Sequence, residues 1–584
     1  MNDDWTRSVE RSAFGALVAV LLAPVVAQGL WRPLVHVFGP AGDAGSVTSA
    51  AVAIGVAVVL VRCLRPRLAQ LLSVGLGGLV ATGASVSLSL GLAGLLTLLS
   101  VTVVTGLLAQ RLFPRIPPSL DGLARRHKVL TSLYGVVALV SFVSVARVSI
   151  FMGDPTRVDQ QVLPGEKFLE THSCLTAYVR ADTLSRGGVD NLYESLWWHG
   201  AHGLPPRPVG VEDPYRPFIL DYYAYPPPFL FVVAPLAPLD GDFMAQRALW
   251  FGLNGLLLAA GLWILARWID GPNAHRVLLL APIFFCSLPV LATLQVGNFQ
   301  IAVVVLSVLA MVAFHKERES TGGALLAFTI LSKISPGVLG VVLLAQRRWR
   351  SAAWSAGFGV IFLAVSVLTL GVNPIESFFT FTLPRLGSGE VFAFMDDDPF
   401  SVLTNMSPFG LPFKLQLLGL DVGDPWALGR QLGRGYSVVL VVLAILAAVR
   451  SPGDRRTQAV TWMSLLVLAA LQSPFAPGYT LIALLWALTL LVVEVDTVRG
   501  GIALVLLWLG LVVVVPWSDL SLFAAHSILQ SALAVGVPVW LIFRAAPSRA
   551  ARRPVSGTQP CVAWYEQGTA PEGYEKVGIC AIAP

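Results

Sequence analysis

Charge is the first thing this sequence has little of: 13% of its 584 residues are Asp, Glu, Lys or Arg, against 55% hydrophobic. Its mean hydropathy is +0.72. Short segments of alternating polarity, the mark of a transmembrane β-barrel, are absent, and the apolar residues come instead in continuous runs of roughly 17 to 24, the length of a membrane-crossing helix. Five cysteines (Cys63, Cys174, Cys286, Cys561 and Cys580) form no CxxC pair and no His/Cys cluster at zinc spacing, so neither a disulfide framework nor a metal site is expected. No GxxxxGK[ST] phosphate cradle is found, which argues against an ATP-driven pump. No convincing cleavage site follows the first apolar run, Phe14 to Leu30, which reads as a retained helix. Neither a fixed-period repeat nor a pair of related halves is visible.

What is present is an all-α polytopic membrane protein. Its formal charge of +6 comes from basic residues that sit beside the apolar runs, where they set orientation, so nucleic-acid binding is not expected. Placing Arg62, Arg65, Arg67, Arg111, Arg115, Arg125, Arg126 and Lys128 in the cytoplasm sends the run at about 131–152 outward. The same rule puts Arg267, Arg276, Lys316, Arg318, Arg347 to Arg350, Arg450, Arg455, Arg456, Arg544, Arg552 and Arg553 inside. The sum is about fourteen spans with both termini cytoplasmic. One of them, 322–346, reads as a hairpin of two short helices broken at "SKISPG", because Pro336 removes a backbone donor. Three regions follow: a four-helix membrane module at 1–130, a core at 131–544, and a basic, turn-rich cytoplasmic tail at 545–584. Two long connections, 153–245 and 373–434, emerge on one face, together with short turns at 296–299 and 473–479.

Polar, aromatic and proline residues gather on that face, where a rigid scaffold would present them. Asp154 and Asp159 stand just past the outward span; each is either a general base for a hydroxyl acceptor or a loop carboxylate beside Arg157. "YVRADTLSRGGVDNLY" reads as a short helix ended by Gly187 and Gly188, carrying Tyr178 and Asp182, with Tyr193 in the next loop. Asp182 pairs with Arg180 or Arg186, or serves a ligand. "LDYYAYPPPF" offers Tyr222, Tyr223 and Tyr225 to sugar rings or to the headgroup interface. In "QVGNFQ", Asn298 and Gln300 open a span, where amides bond other helices or a ligand. Lys333 in the broken hairpin seeks a phosphate or carboxylate, or snorkels to the interface. Asp396, Asp397 and Asp398 read as a divalent-cation site or as a solvated acidic turn before Pro399, with Asn405 close behind in "TNMS", and "LQSPFAPGYT" sets Tyr479 at the external surface.

The order of these pieces, from "YVRADTLSRGGVDNLY" and "YPPPFLFVVAPLAPL" through "LQVGNFQ", "SKISPGVLGVVLLAQRRWR" and "TNMS" to "QSPFAPGY", resembles glycosyltransferase family 87, over roughly residues 131 to 543. These are bacterial membrane enzymes of the GT-C fold that take sugars, often mannose, from polyprenyl phosphate. The resemblance implies a multi-pass protein of the bacterial cytoplasmic membrane with its site on the external face. It implies inverting transfer to an envelope lipid or glycan, with no cofactor because the lipid delivers the activated sugar. Catalysis would fall to Asp154 or Asp159. Tyr178, Asp182, Tyr193, Tyr225, Asn298, Gln300, Lys333, Asn405 and Tyr479 would contact substrate. Where family members commonly carry an aspartate, four residues before Tyr178, this chain has Cys174, and Tyr479 replaces a common histidine. A lipid transporter and a catalytically inactive partner in envelope assembly remain the alternatives.

Overall fold

The computed structural model describes residues 21–30, 91–112, 128–201, 213–269, 287–450, 454–492, 498–515 and 519–544, with isolated positions among 18–57 and at 204, 284 and 285. Most of the N-terminal module and all of the tail therefore lie outside the described residues. The principal helices are α1 (Gly91–Leu112), α2 (Lys128–Gly153), α3 (Leu175–Arg186), α4 (Phe243–Ile269), α5 (Leu288–Val296), α6 (Gln300–His315) and α7 (Glu319–Ser332). They continue with α8 (Gly337–Ala345), α9 (Trp349–Leu370), α10 (Pro425–Arg450), α11 (Arg455–Ala470), α12 (Ile482–Val492), α13 (Val498–Val512) and α14 (Leu520–Arg544). Among the described residues there is no strand, only an isolated parallel bridge between His172 and Ile219.

Five described helices are long and apolar enough to cross a membrane: α2 from Gly135, α4, α9, α10 and α14. A sixth span arises if α5 and α6, which meet at 110°, are taken as one bent unit. The outside of the bundle is apolar. Helix α9 is almost wholly unburied, and Leu368, Val449 and Val360 are 85%, 70% and 67% exposed. Such a surface needs hydrocarbon around it, while the helices satisfy their own backbone groups. This is a multi-pass membrane protein.

The break at 333–336 makes the expected hairpin. Arg348, just before α9, reaches Glu319 at the start of α7 (3.5 Å), so the far end of α8 returns to the level where α7 began. Lys333 consequently sits at the apex. Chain reversals elsewhere bring the other polar segments to that same end: Asn373, after α9, donates to Asp190 (2.8 Å), and the Trp250 indole, early in α4, donates to the Gly297 carbonyl (2.8 Å).

At this end lies a core rich in aromatic residues that includes Tyr178, Tyr193, Trp198, Phe218, Tyr223, Phe229, Trp250 and Phe299. The three prolines after Tyr225 lead into it. Pro226 is extended (φ −59°, ψ 150°), whereas Pro227 and Pro228 open a 3-10 turn through Val232. Proline fits there because the first residues of a helical turn have no internal partner for their N–H groups.

Candidate active site

Three segments converge at the apex of the hairpin. The first runs from His172 into α3: the Cys174 N–H donates to the Val296 carbonyl (2.8 Å), pinning this loop to the end of α5. The second is the strand-like stretch at 219–221, where Ile219 N–H donates to the Thr171 carbonyl (2.8 Å) and Asp221 N–H to the Thr176 hydroxyl (2.9 Å). These bonds set Asp221 beside the start of α3. The third is the turn between α5 and α6. Gly297 ends α5 in the left-handed region (φ 71°), which a side chain adopts only at a cost. A Cβ there would also meet Trp250 Cδ1 at 3.2 Å.

That turn aims Asn298 inward. Its amide donates to Cys174 Sγ (3.3 Å), and its carbonyl accepts from Gln300 N–H (3.0 Å) and from Lys333 Nζ (3.2 Å). Lys333 donates a shorter bond to Gln300 Oε1 (2.8 Å) and lies over the rings of Tyr479 (5.0 Å) and Tyr225 (6.0 Å). The Tyr225 and Tyr178 hydroxyls are 3.1 Å apart. Across Asn298 from the lysine, Cys174 Sγ stands 3.4 Å from His172 Nε2, which is 3.8 Å from Asp221 Oδ2. Burial, and the Asp221 charge beside it, push the Cys174 thiol up, so it is protonated at neutral pH. The site thus has an acidic side, Asp221 with His172, and a cationic side, Lys333, separated by one amide.

Of the residues expected from the sequence, the structure gathers Tyr178, Tyr225, Asn298, Gln300, Lys333 and Tyr479. The others have different surroundings. Asp154 accepts from the Thr156 N–H (3.0 Å) and hydroxyl (2.6 Å) in the turn after α2. Asp159, 61% exposed, is engaged by Gln160 and Arg157, which hold its carboxyl below the usual range and make it a weaker base. Asp182 pairs with Arg186 (2.6 Å), which also reaches Asp240 (2.9 Å), tying α3 to the approach to α4. Tyr193 is fully buried and donates to the Tyr225 carbonyl (2.9 Å), so it positions Tyr225 from behind. Asn405 donates to the Pro474 carbonyl and accepts from the Ser407 and Ala476 N–H groups, each at 2.9 Å; it fixes the turn that carries Tyr479. Asp398 caps the helix that follows it (Phe400 N–H, 3.0 Å), and Asp396 accepts from the Trp426 indole (2.8 Å).

His172 and Asp221 were missed by sequence reasoning. Both lie inside conspicuous stretches, "THSCLTAY" and "LDYYAY", and the available signal was an imidazole two residues from the cysteine and a carboxylate heading the tyrosines. Their meeting depends on the bridge between His172 and Ile219, 47 residues apart, and on the bond from Asp221 N–H to Thr176 beside it.

Residues 223–474 match the model of glycosyltransferase family 87, the family indicated by the order of the motifs. No curated protein and no solved structure gives a match. The matched segment holds Tyr225, Asn298, Gln300, Lys333 and Asn405. Cys174, Tyr178, Asp221 and Tyr479 fall outside it.

Proposed function

From the family-87 match and the two-sided site, we propose that this chain transfers a sugar, mannose favoured, from a polyprenyl phosphate carrier to an envelope lipid or glycan. Transfer takes place on the external face of a bacterial cytoplasmic membrane and inverts the anomeric carbon. The supporting observation is the placement of Asp221 and Lys333 on opposite sides of the Cys174–Asn298 contact. Asp221 takes the proton of the acceptor hydroxyl. The acceptor oxygen bonds to the anomeric carbon as the bond to the carrier phosphate breaks, and that electron pair leaves with the phosphate. Lys333, held on two amide oxygens, faces the departing phosphate as a hydrogen-bond donor. Beside Cys174, Asp221 supplies in space the carboxylate that the sequence lacks at that position. Asp154 and Asp159 are the competing candidates for the base.

The topology that accompanies this reading has about fourteen spans, with a membrane module at 1–130, the transferase core at 131–544 and a cytoplasmic tail at 545–584. The test is a donor panel: membranes containing the wild-type chain receive radiolabelled polyprenyl phosphate-linked mannose, glucose or arabinose, and labelled envelope products are followed. Transfer from one donor is expected. No transfer from any of them, across a range of envelope acceptors, would move the assignment to a transporter or an inactive partner.

A further inference from the structure

The Nε2 of His172, the Sγ of Cys174 and a carboxylate oxygen of Asp221 all lie within 4.8 Å of one another. Two edges of this triangle are 3.4 Å and 3.8 Å. Around a tetrahedral ion with bonds of about 2.0–2.3 Å, ligand atoms are about 3.3–3.8 Å apart, so the triangle closes on such an ion with small side-chain adjustments. We propose that His172, Cys174 and Asp221 form a three-ligand site for a zinc-class divalent ion. A thiolate with an imidazole and one carboxylate selects zinc over magnesium or calcium, which prefer all-oxygen shells.

The supports that orient ligands are in place. Asn298 donates to Cys174 Sγ (3.3 Å), Tyr222 N–H donates to Asp221 Oδ1 (2.9 Å), and Phe168 stacks on the His172 ring (4.4 Å between centroids). Such contacts fix ligand direction as much as the ligands do. The charges also balance: a thiolate and a carboxylate neutralise a divalent ion, leaving Lys333 for a phosphate. Sequence spacing hides the site, because two ligands are two residues apart and the third arrives from position 221.

Three protein ligands leave a fourth position, the arrangement of catalytic rather than structural zinc. This deepens the transferase reading and rests on it for the occupant of that position. An ion held there would make an acceptor hydroxyl in the fourth position more acidic, and Asp221, as its ligand, would prepare the acceptor through the ion instead of taking the proton itself.

Metal content tests the site without any substrate. Full-length protein, tag removed, is equilibrated with zinc or cobalt, freed of excess ion, and measured by elemental analysis and absorption; folding of each variant is checked by its thermal transition. The expected result is about one ion per chain, a thiolate-to-cobalt charge-transfer band, loss of the band in Cys174→Ser, and at least tenfold weaker binding in folded His172→Ala. No bound ion in the wild type, or a band that survives Cys174→Ser, would overturn the proposal. Transfer that proceeds at full rate after thorough chelation would sink the site and leave the transferase standing; an ion bound by a chain with no transfer would do the reverse.

Discussion

Lys333 rests on the carbonyl oxygens of two amides and the faces of two tyrosines, and this decides what each neighbouring substitution should do. Removing the ammonium in Lys333→Met is expected to lower transfer by about 10²-fold or more, the usual cost of losing a charge aimed at a leaving group, with the fold intact by thermal unfolding. Tyr479→Phe retains the ring under the ammonium and should stay within a few-fold of wild type, whereas Tyr479→Leu loses a contact of about 0.5–2 kcal/mol; initial rates at saturating donor separate the two. A different lysine carries a pH signature. Lys414, in the short helix Leu411–Leu417, is buried against α14, donating to the Ser531 hydroxyl (2.7 Å) and the Ser527 carbonyl (3.4 Å). Burial lowers its pKa to about 7. Unfolded, the group binds its proton up to about pH 10.4, so between those values the unfolded state holds more protons and stability rises with pH. Lys414→Met should flatten this rise and be the more stable protein at pH 7. Thermal unfolding of both from pH 6.5 to 10 checks the sign, and parallel curves would contradict it.

At the scale of elements, the turn at Gly297 governs the site. It redirects the chain by 110° between α5 and α6 and delivers Asn298 and Gln300 to Lys333. Gly297→Ala forces a left-handed residue against Trp250 and is expected to cost about 1–2 kcal/mol, with a larger loss of transfer than of stability because Asn298 is displaced; melting temperature and rate measured together test this. The sequence carries much of the element level: the hairpin at Lys333 to Pro336 is visible in "SKISPG", and α3 ends at Gly187 as its glycines suggest. The α5–α6 bend is not visible, because two apolar runs flanking one glycine read equally as separate spans. The bridge from His172 to Ile219 is hidden for a related reason. It is a short set of hydrogen bonds between distant loops with no periodic pattern to announce it, so Asp221 emerges only once Thr176 is seen to hold its backbone.

For the whole molecule, the apolar exterior and the collection of polar segments at one end make a directional claim about the membrane. If the positive-inside reading is right, Cys introduced for Asp213 should react with an impermeant thiol reagent added to intact cells, and Cys introduced for Gly453 should react only after lysis. The reverse pattern would put the site on the cytoplasmic face. The central claim is chemical, that Asp221 prepares the acceptor for attack. Its most direct test compares transfer from polyprenyl phosphate-mannose by wild type, Asp221→Asn, Asp154→Asn and Asp159→Asn, each verified as folded. The account predicts a loss of about 10²–10⁴-fold in Asp221→Asn and near wild-type rates in the other two. Full activity in Asp221→Asn, with loss in Asp154→Asn or Asp159→Asn, would contradict it.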